Sequence, residues 1–380
     1  MTSQTHPPEA TEVAGTPGTL KHLLHAKDAL ATSMHTVEEW SDSALDRWCA
    51  RAFAHQYHGS ERYRRWCETR GVTPESIVRW QDVPPVPAEA FKHFDFVAPE
   101  GHEPEAVFRT SGTTAGSEAR GRHNVLSLDL YRHSMMGPMK SALLPDDDGI
   151  DVVSLIPHAR SRPDSSLSVM ASEAAAAWGS GCYWLVDAEG AYVRSEIERW
   201  LDRHSDEPVL ILSTALALFH ALAEGGPLPT MPEGSRLMET GGFKGATRSI
   251  SRDELYARVE ERWGLGQDRI VNEYGMTELL SQLWEPILHD GPSARGRHRP
   301  APWLRVRALD PTTLREVPEG ETGVLAFFDV ANYGSVSHIL TQDLGQVVDG
   351  DVRLQGRVLG AEPRGCSRTM DDLMASQISS

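Results

Sequence analysis

Phe108-Arg109-Thr110-Ser111-Gly112-Thr113-Thr114-Ala115-Gly116-Ser117 is the stretch from which the rest of this chain can be read. It is mostly Ser, Thr and Gly, so it has too little apolar surface to build a core. It can wrap an anion well: glycines let the backbone approach closely, and main-chain N–H groups and hydroxyls supply many short donors. Arg120 and Arg122 follow it. Read alone, the run is either a solvated linker or a phosphate cradle.

Upstream, the chain reads as a helical layer. Residues 1–18, rich in Thr, Pro, Glu and Gly, read as a disordered tail, and 19–100 as helices. Thr36 and Glu39 have capping-box spacing, with Trp40, Leu45, Trp48 and Phe53 on one face. A second helix is expected from His58 to Thr69, stopping at Gly71, and another start at Thr73-Pro74-Glu75. The prolines of Val83-Pro84-Pro85-Val86-Pro87 force extended backbone.

Downstream, helix and strand signals alternate. Asp151 to Pro157, Tyr183 to Val186, Pro208 to Ser213, Leu237 to Thr240 and Arg269 to Asn272 read as buried strands. Ser251 and Glu254 cap a helix that ends at Gly264. Residues 101–300 therefore read as an α/β core with mostly parallel sheets flanked by helices, with ligand sites at the carboxyl ends of the strands. Residues 301–366 read as a small β-rich subdomain, and 367–380 as a polar C-terminal tail.

Composition narrows the partners. The 380 residues are 40% hydrophobic and 24% charged, an ordinary globular mixture. A formal net charge of −17 argues against nucleic acid as partner. Cys49, Cys67, Cys182 and Cys366 show no metal spacing, which suits a reducing cytoplasm; the first three sit in helix-like or apolar settings and read as core. No apolar run reaches the roughly 20 residues of a membrane span.

Four stretches carry chemistry: the loop at 110–117; Glu239-Thr240-Gly241-Gly242-Phe243-Lys244; Asn272-Glu273-Tyr274-Gly275-Met276-Thr277-Glu278; and Thr341-Gln342-Asp343-Leu344-Gly345 with Gly356-Arg357. Each is weak alone, since a Tyr-Gly pair is commonly a turn. In this order they resemble the acyl-adenylating superfamily of acyl-CoA synthetases and firefly-luciferase relatives. Thr110, Ser111, Gly112, Thr113 and Thr114 look like its phosphate loop. Tyr274-Gly275-Met276-Thr277-Glu278 is similar to its Tyr-Gly-x-Thr-Glu motif, and Ile156-Pro157-His158 to its His-ending substrate motif. Within the superfamily the chain resembles the LuxE acyl-protein synthetases. The features that carry this are Val83 to Pro87 leading to Phe91-Lys92, Ser165-Ser166-Leu167, and the end Gly356-Arg357-Val358-Leu359-Gly360-Ala361-Glu362-Pro363-Arg364-Gly365-Cys366.

The resemblance implies ATP and Mg²⁺ as cofactors, with CoA in a variant reading. It gives Gly241, Gly242, Gly275 and Thr277 to the nucleotide site, Tyr274 to adenine and Asp343 with Arg357 to ribose or phosphate. Glu278 becomes the metal ligand and Cys366 the acyl-carrying thiol, with His158 orienting the carboxylate or acting as base. Phe243, Ser165 and Ser166 line the acyl pocket, and the acceptor is an acyl carrier protein or acyl reductase. Two departures stand out. The lysine usual after the loop is replaced by Ser117-Glu118-Ala119-Arg120, and the chain reads as lacking the family's C-terminal domain with its catalytic lysine. Three functions remain open: an ATP-dependent ligase, an ATP-independent acyltransferase working through Cys366, and a non-catalytic nucleotide-binding protein. Arg295, Arg297 and Arg299 are the expected basic patch for an acidic carrier.

Overall fold

A computed structural model describes residues 13–35, 40–110, 120–146, 149–204, 206–223, 228–241, 250–357 and 364–378. Helices α1 (Leu20–His35), α2 (Asp42–Gly59) and α3 (Glu61–Glu68) come first, followed by strands β1 (Val86–Pro87), β2 (Ala106–Arg109) and β3 (Arg122–Val125). Helix α4 (Leu128–Leu143) then opens an alternation of β4 (Asp151–Ser154), α5 (Ser166–Trp178), β5 (Cys182–Trp184), α6 (Arg194–His204), β6 (Val209–Thr214), α7 (Ala215–Ala221), β7 (Arg236–Thr240), α8 (Arg252–Trp263) and β8 (Ile270–Tyr274). The short β9 (Leu283–Trp284), α9 (Ile287–Asp290) and β10 (Arg299–Pro300) lead to β11 (Leu304–Leu309), β12 (Gly323–Asp329), β13 (His338–Val348) and β14 (Asp351–Arg357). Helix α10 (Arg364–Ile378) comes last.

The larger sheet has seven strands in the order β10-β9-β8-β7-β6-β4-β5. Strands β5, β4, β6, β7 and β8 run parallel, and β9 and β10 add antiparallel at one edge. Both faces of its centre are covered, which is why β6 reads Val-Leu-Ile-Leu without polar alternation. The pleat sends Val209 and Ile211 to one core cluster, shared with Trp200, Leu218 and Trp263 from α6, α7 and α8. Leu210 and Leu212 go to the other, with Met135, Met139 and Ala171 from α4 and α5. The second sheet is β1-β13-β12-β11, with β14 also on β13. Strands β2 and β3 form a separate hairpin.

Local signals held where they were strongest. Ser251 accepts from Glu254 N–H at 3.1 Å, and α8 ends on Gly264 at φ 68°. Elsewhere the structure differs from the expectation. Thr36 and Glu39 lie outside the described residues, and α2 starts later, at Asp42, under the cap of Ser41. Leu45, Trp48 and Phe53 are nonetheless core. Thr73-Pro74-Glu75 opens a single 3₁₀ turn, Pro74–Ser76, because Ser76 closes the box back onto Thr73 at once. The expected polar tail at 367–380 is largely helical: α10 buries Leu373 completely against the α3 region, with Arg70 pairing to Asp372 at 3.4 Å.

A buried polar line joins the two sheets. Asn272 on β8 donates to Glu239 Oε2 on β7 at 2.7 Å and receives His298 Nε2 at 2.7 Å. His298 exchanges backbone bonds with Val352 on β14 at 2.7 and 2.8 Å. Tyr256 also donates to Glu239, at 2.9 Å. These bonds offset part of the cost of burying the four side chains, with His298 Nδ1 left without a partner among the described residues.

Candidate functional site

The site lies where the end of β8 meets β13 and β14. Pairing of those two strands sets Arg357 opposite Asp343, and Arg357 Nε stands 3.2 Å from Asp343 Oδ1. Tyr274, the last residue of β8, donates its hydroxyl to Asp343 Oδ2 at 2.8 Å. Its ring stacks on Phe327 of β12 at a centroid distance of 5.5 Å. Burial first, and the Asp343 carboxylate next, push the Tyr274 phenol well up from its ordinary value, so it acts as a donor. Three residues expected to serve one nucleotide are thus brought together from two sheets. A carboxylate has about four lone-pair directions, so Asp343 retains capacity for two ribose hydroxyls.

The β2–β3 hairpin, on which the expected phosphate loop falls, stands beside the segment that follows Tyr274. Ser111, Gly112, Thr113 and Thr114 lie outside the described residues, but the base of the hairpin is defined. Thr110 N–H donates to Gly121 carbonyl at 3.0 Å, and Gly121 N–H to Thr110 Oγ1 at 2.9 Å. A Cβ on Gly121 would crowd Thr110 Cγ2 at 3.1 Å and meet Glu278 Oε1 at an ordinary contact distance of 3.6 Å, so the base of the hairpin lies beside Glu278. Glu278 is only 7% exposed, and its carbonyl accepts from Asn332 Nδ2 at 2.7 Å. The segment behind it is clamped: Asp329 accepts from Leu280 N–H, Ser281 N–H and Ser281 Oγ at 3.0, 2.8 and 2.8 Å.

The Glu278 carboxylate beside this hairpin is of a kind that fits Mg²⁺, which takes one or two protein carboxylates and completes its shell with water and phosphate oxygens. No cluster of three or more His, Cys, Asp or Glu suited to a metal ion occurs among the described residues.

The other candidates are distributed around this centre. Thr277 offers its carbonyl to His123 at 2.8 Å, and Gly275 packs against the Glu273 side chain. Gly241 ends β7 at φ +81°, a conformation suited to glycine. Gly242 and Phe243 lie outside the described residues. His158 follows β4 and sits edge-on to Trp184 at 4.5 Å. Its Nδ1 accepts from Arg160 N–H at 2.9 Å, so in the neutral ring Nε2 carries the proton. Burial, then Arg160, lowers its pKa. Ser165 is occupied as the N-cap of α5, accepting from Ser168 N–H at 3.2 Å, and Ser166 offers its carbonyl to Tyr131 at 3.0 Å. Cys366 falls in the backbone of the first turn of α10, and its side chain lies outside the described residues.

Two expectations about charge change. Arg120, the nearest substitute for the missing lysine, pairs with Asp164 at 3.3 Å and donates to the carbonyl of Thr110 at 2.6 Å. Arg122 pairs with Asp95 at 3.0 Å. The basic patch is neutralised as well: Arg295 pairs with Glu285, and Arg297 and Arg299 both meet Asp290 and Asp351.

Sequence reasoning missed Phe327, Asp329, Asn332 and His123. They lie about 50 to 150 residues from the motif they support, and no local pattern marks them.

The architecture has solved counterparts. A structure of 2-hydroxyisobutyryl-CoA ligase in an open conformation with 2-HIB-AMP and CoA aligns at a TM-score of 0.61 and 17% identity, covering 85% of this chain and 76% of that one. The same ligase in the postadenylation state with R3-HIB-AMP gives 0.63 and 17%, covering 89% and 73%. An ATP-bound MatB from Rhodopseudomonas palustris is matched over 66% of this chain, which spans 48% of that structure, with a TM-score of 0.48. The chain therefore has the fold of the adenylate-forming ligases. The model of the family described as acyl-protein synthetase, LuxE, matches residues 19–375, and the chain belongs to that family. Long-chain-fatty-acid–luciferin-component ligases are distant relatives. That of Vibrio harveyi is 22% identical over 360 residues, covering 90% of this chain and 93% of the relative. That of Aliivibrio fischeri is 20% identical over 364 residues, covering 91% and 93%. Among the described residues no helix is long and apolar enough to cross a membrane.

Proposed function

We propose that this protein activates a carboxylic acid, fatty or aromatic, with ATP and passes the acyl group through Cys366 to a carrier or partner protein. The observation that supports this most is the meeting of Tyr274, Asp343 and Arg357 beside the hairpin that bears the phosphate loop. In this reading Asp343 accepts from the ribose hydroxyls, Arg357 adds a charged donor, and the ring of Tyr274 packs on adenine. Thr110, Ser111, Gly112, Thr113 and Thr114, together with Gly241, Gly242, Gly275 and Thr277, surround the phosphates. Glu278 holds Mg²⁺, whose charge offsets that of the triphosphate. His158, with Nε2 protonated, orients the incoming carboxylate by donation rather than acting as base.

The substrate carboxylate attacks the α-phosphorus, and pyrophosphate leaves. The Cys366 thiolate then attacks the acyl carbon and AMP leaves, giving a thioester that an acceptor thiol displaces. A thiol at the start of a helix is assisted, because the N-terminal peptide dipoles favour the thiolate. Acid-dependent ATP–pyrophosphate exchange together with intact-mass analysis tests the scheme. Exchange that depends on the acid, and an acyl adduct lost in Cys366→Ser, are expected. No exchange with any acid of a broad panel removes it.

A second reading is an ATP-independent acyltransferase that takes its acyl group from CoA. Arg120 and Arg122 favour it, since both are committed to Asp164 and Asp95. It requires acyl-CoA to label the wild-type protein and not Cys366→Ser.

A further inference from the structure

Strand β3 has two sides with different duties. Arg122 and Asn124 point to one side and share Asp95, at 3.0 Å each. Gly121 and His123 point to the other, toward the turn Tyr274-Gly275-Met276-Thr277-Glu278. Gly121 lies beside the Glu278 carboxylate, and His123 Nδ1 meets the Thr277 carbonyl at 2.8 Å. A carbonyl only accepts, so Nδ1 carries the proton and donates. His123 is 1% exposed, its ring lies edge-on to Phe91 at 5.6 Å, and Nε2 has no partner among the described residues. A bare imidazole nitrogen is a cheaper group to bury than an unpaired N–H, and this fixes the same tautomer a second time.

The carbonyls of Thr277 and Glu278 are thus held from two sides. Asn332 takes the Glu278 carbonyl from the small sheet, and His123 takes the Thr277 carbonyl from the phosphate hairpin. The Asn332 bond fixes the turn to the body of the protein. The His123 bond alone links the turn directly to the hairpin strand through a side-chain donor among the described residues. This bond therefore helps to set the register of β3 against the turn that carries Glu278.

We propose that His123 is a positioning residue which, as the neutral Nδ1–H tautomer, registers the phosphate-binding hairpin against the metal-ligand candidate Glu278. The proposal rests on the adenylation reading above. It predicts an effect confined to Mg²⁺ and ATP, because among the described residues His123 meets Thr277 and Phe91 and neither the His158 loop nor α10.

His123→Phe keeps the ring against Phe91 and removes the donor. His123→Asn keeps a donor near the place of Nδ1. In acid-dependent ATP–pyrophosphate exchange, His123→Phe should raise the half-maximal Mg²⁺ and ATP concentrations on the order of tenfold and leave the KM of the acid unchanged. His123→Asn should recover most of the loss. Wild-type behaviour of His123→Phe overturns the proposal, as does an acid KM that rises equally, or no rescue by Asn. A ¹⁵N-histidine spectrum of the wild-type protein, assigned by difference from His123→Asn, is independent of turnover and of how His123→Phe folds. A protonated Nδ1 with bare Nε2 supports the proposal, and the opposite tautomer overturns it. Wild-type protein that shows no exchange removes the adenylation reading and the role of His123 with it, while the spectrum still reports on the hydrogen bond.

Discussion

Single side chains at this site can be assigned testable weights. Tyr274→Phe removes one hydroxyl donor to the Asp343 carboxylate and leaves the ring on Phe327. A hydrogen bond to a charged group contributes about 1.5–3 kcal/mol, so the KM for ATP should rise at least about tenfold in pyrophosphate exchange, with the KM of the acid unmoved. Glu273 reports on pH instead. Burial pushes its carboxyl up to about 7 from the ordinary 4.5, against the opposing bond from Thr240. Between those values the folded protein holds a proton that the unfolded chain has released, so Glu273 lowers stability as pH rises from about 4.5 to 7. Glu273→Gln should therefore gain on the wild type with rising pH, by an amount on the order of 3 kcal/mol between pH 5 and 8 in urea unfolding. A difference that does not change with pH would refute this. Tyr274, Asp343 and Arg357 were legible in the sequence because their motifs are local. His123 was not, since one histidine in Arg122-His123-Asn124 carries no mark of the carbonyl it meets 154 residues away.

At the scale of elements, capping and turn chemistry were the readable part. Ser251, Glu254 and Gly264 bound α8 as their types require, because each acts through backbone within four residues. Ser251→Ala should cost about 1 kcal/mol in chemical denaturation. Helix α10 was not readable as structured. Its residues are mostly polar, and the few apolar ones gain burial from elements distant in the chain, α3 and β1. Leu373→Ala removes a fully buried side chain from that contact and should cost about 2–5 kcal/mol in urea unfolding. A loss below about 0.5 kcal/mol would mean that α10 does not hold that position in solution.

The whole molecule gathers its buried histidines at the joints between layers. Burial lowers His55 to about 4 and His298 to about 3, and sets His338 well below 6.5. His55 receives Gly18 N–H and meets the Ala98 carbonyl, His298 bridges Asn272 and Val352, and His338 meets the Val83 carbonyl. Below about pH 6.5 the unfolded chain binds protons that these folded sites refuse, so stability falls as pH drops toward 4. Asp329 and Glu273, raised by burial to about 6 and about 7, oppose this, and the buried rings outnumber them. The midpoint of urea unfolding should accordingly be lower at pH 5 than at pH 7, and a midpoint that is higher at pH 5 would contradict the burial of these rings.

The alternation of strands and helices, the caps, and the order of the Thr110, Tyr274–Glu278, Asp343 and Arg357 stretches were readable from the amino acids, because each is written in neighbouring residues and backbone preferences. The sequence also pointed to the family that the residue 19–375 match established. Tertiary structure alone decided which cations are available. Arg120, Arg122, Arg295, Arg297 and Arg299 read as a positive supply, and the fold brings a carboxylate to each. It alone set the Thr277 carbonyl beside His123 and Tyr274 beside Asp343. Charge pairing and buried hydrogen bonds depend on distances of about 3 Å between residues far apart in the chain, and such distances exist only once the two sheets and the hairpin have packed.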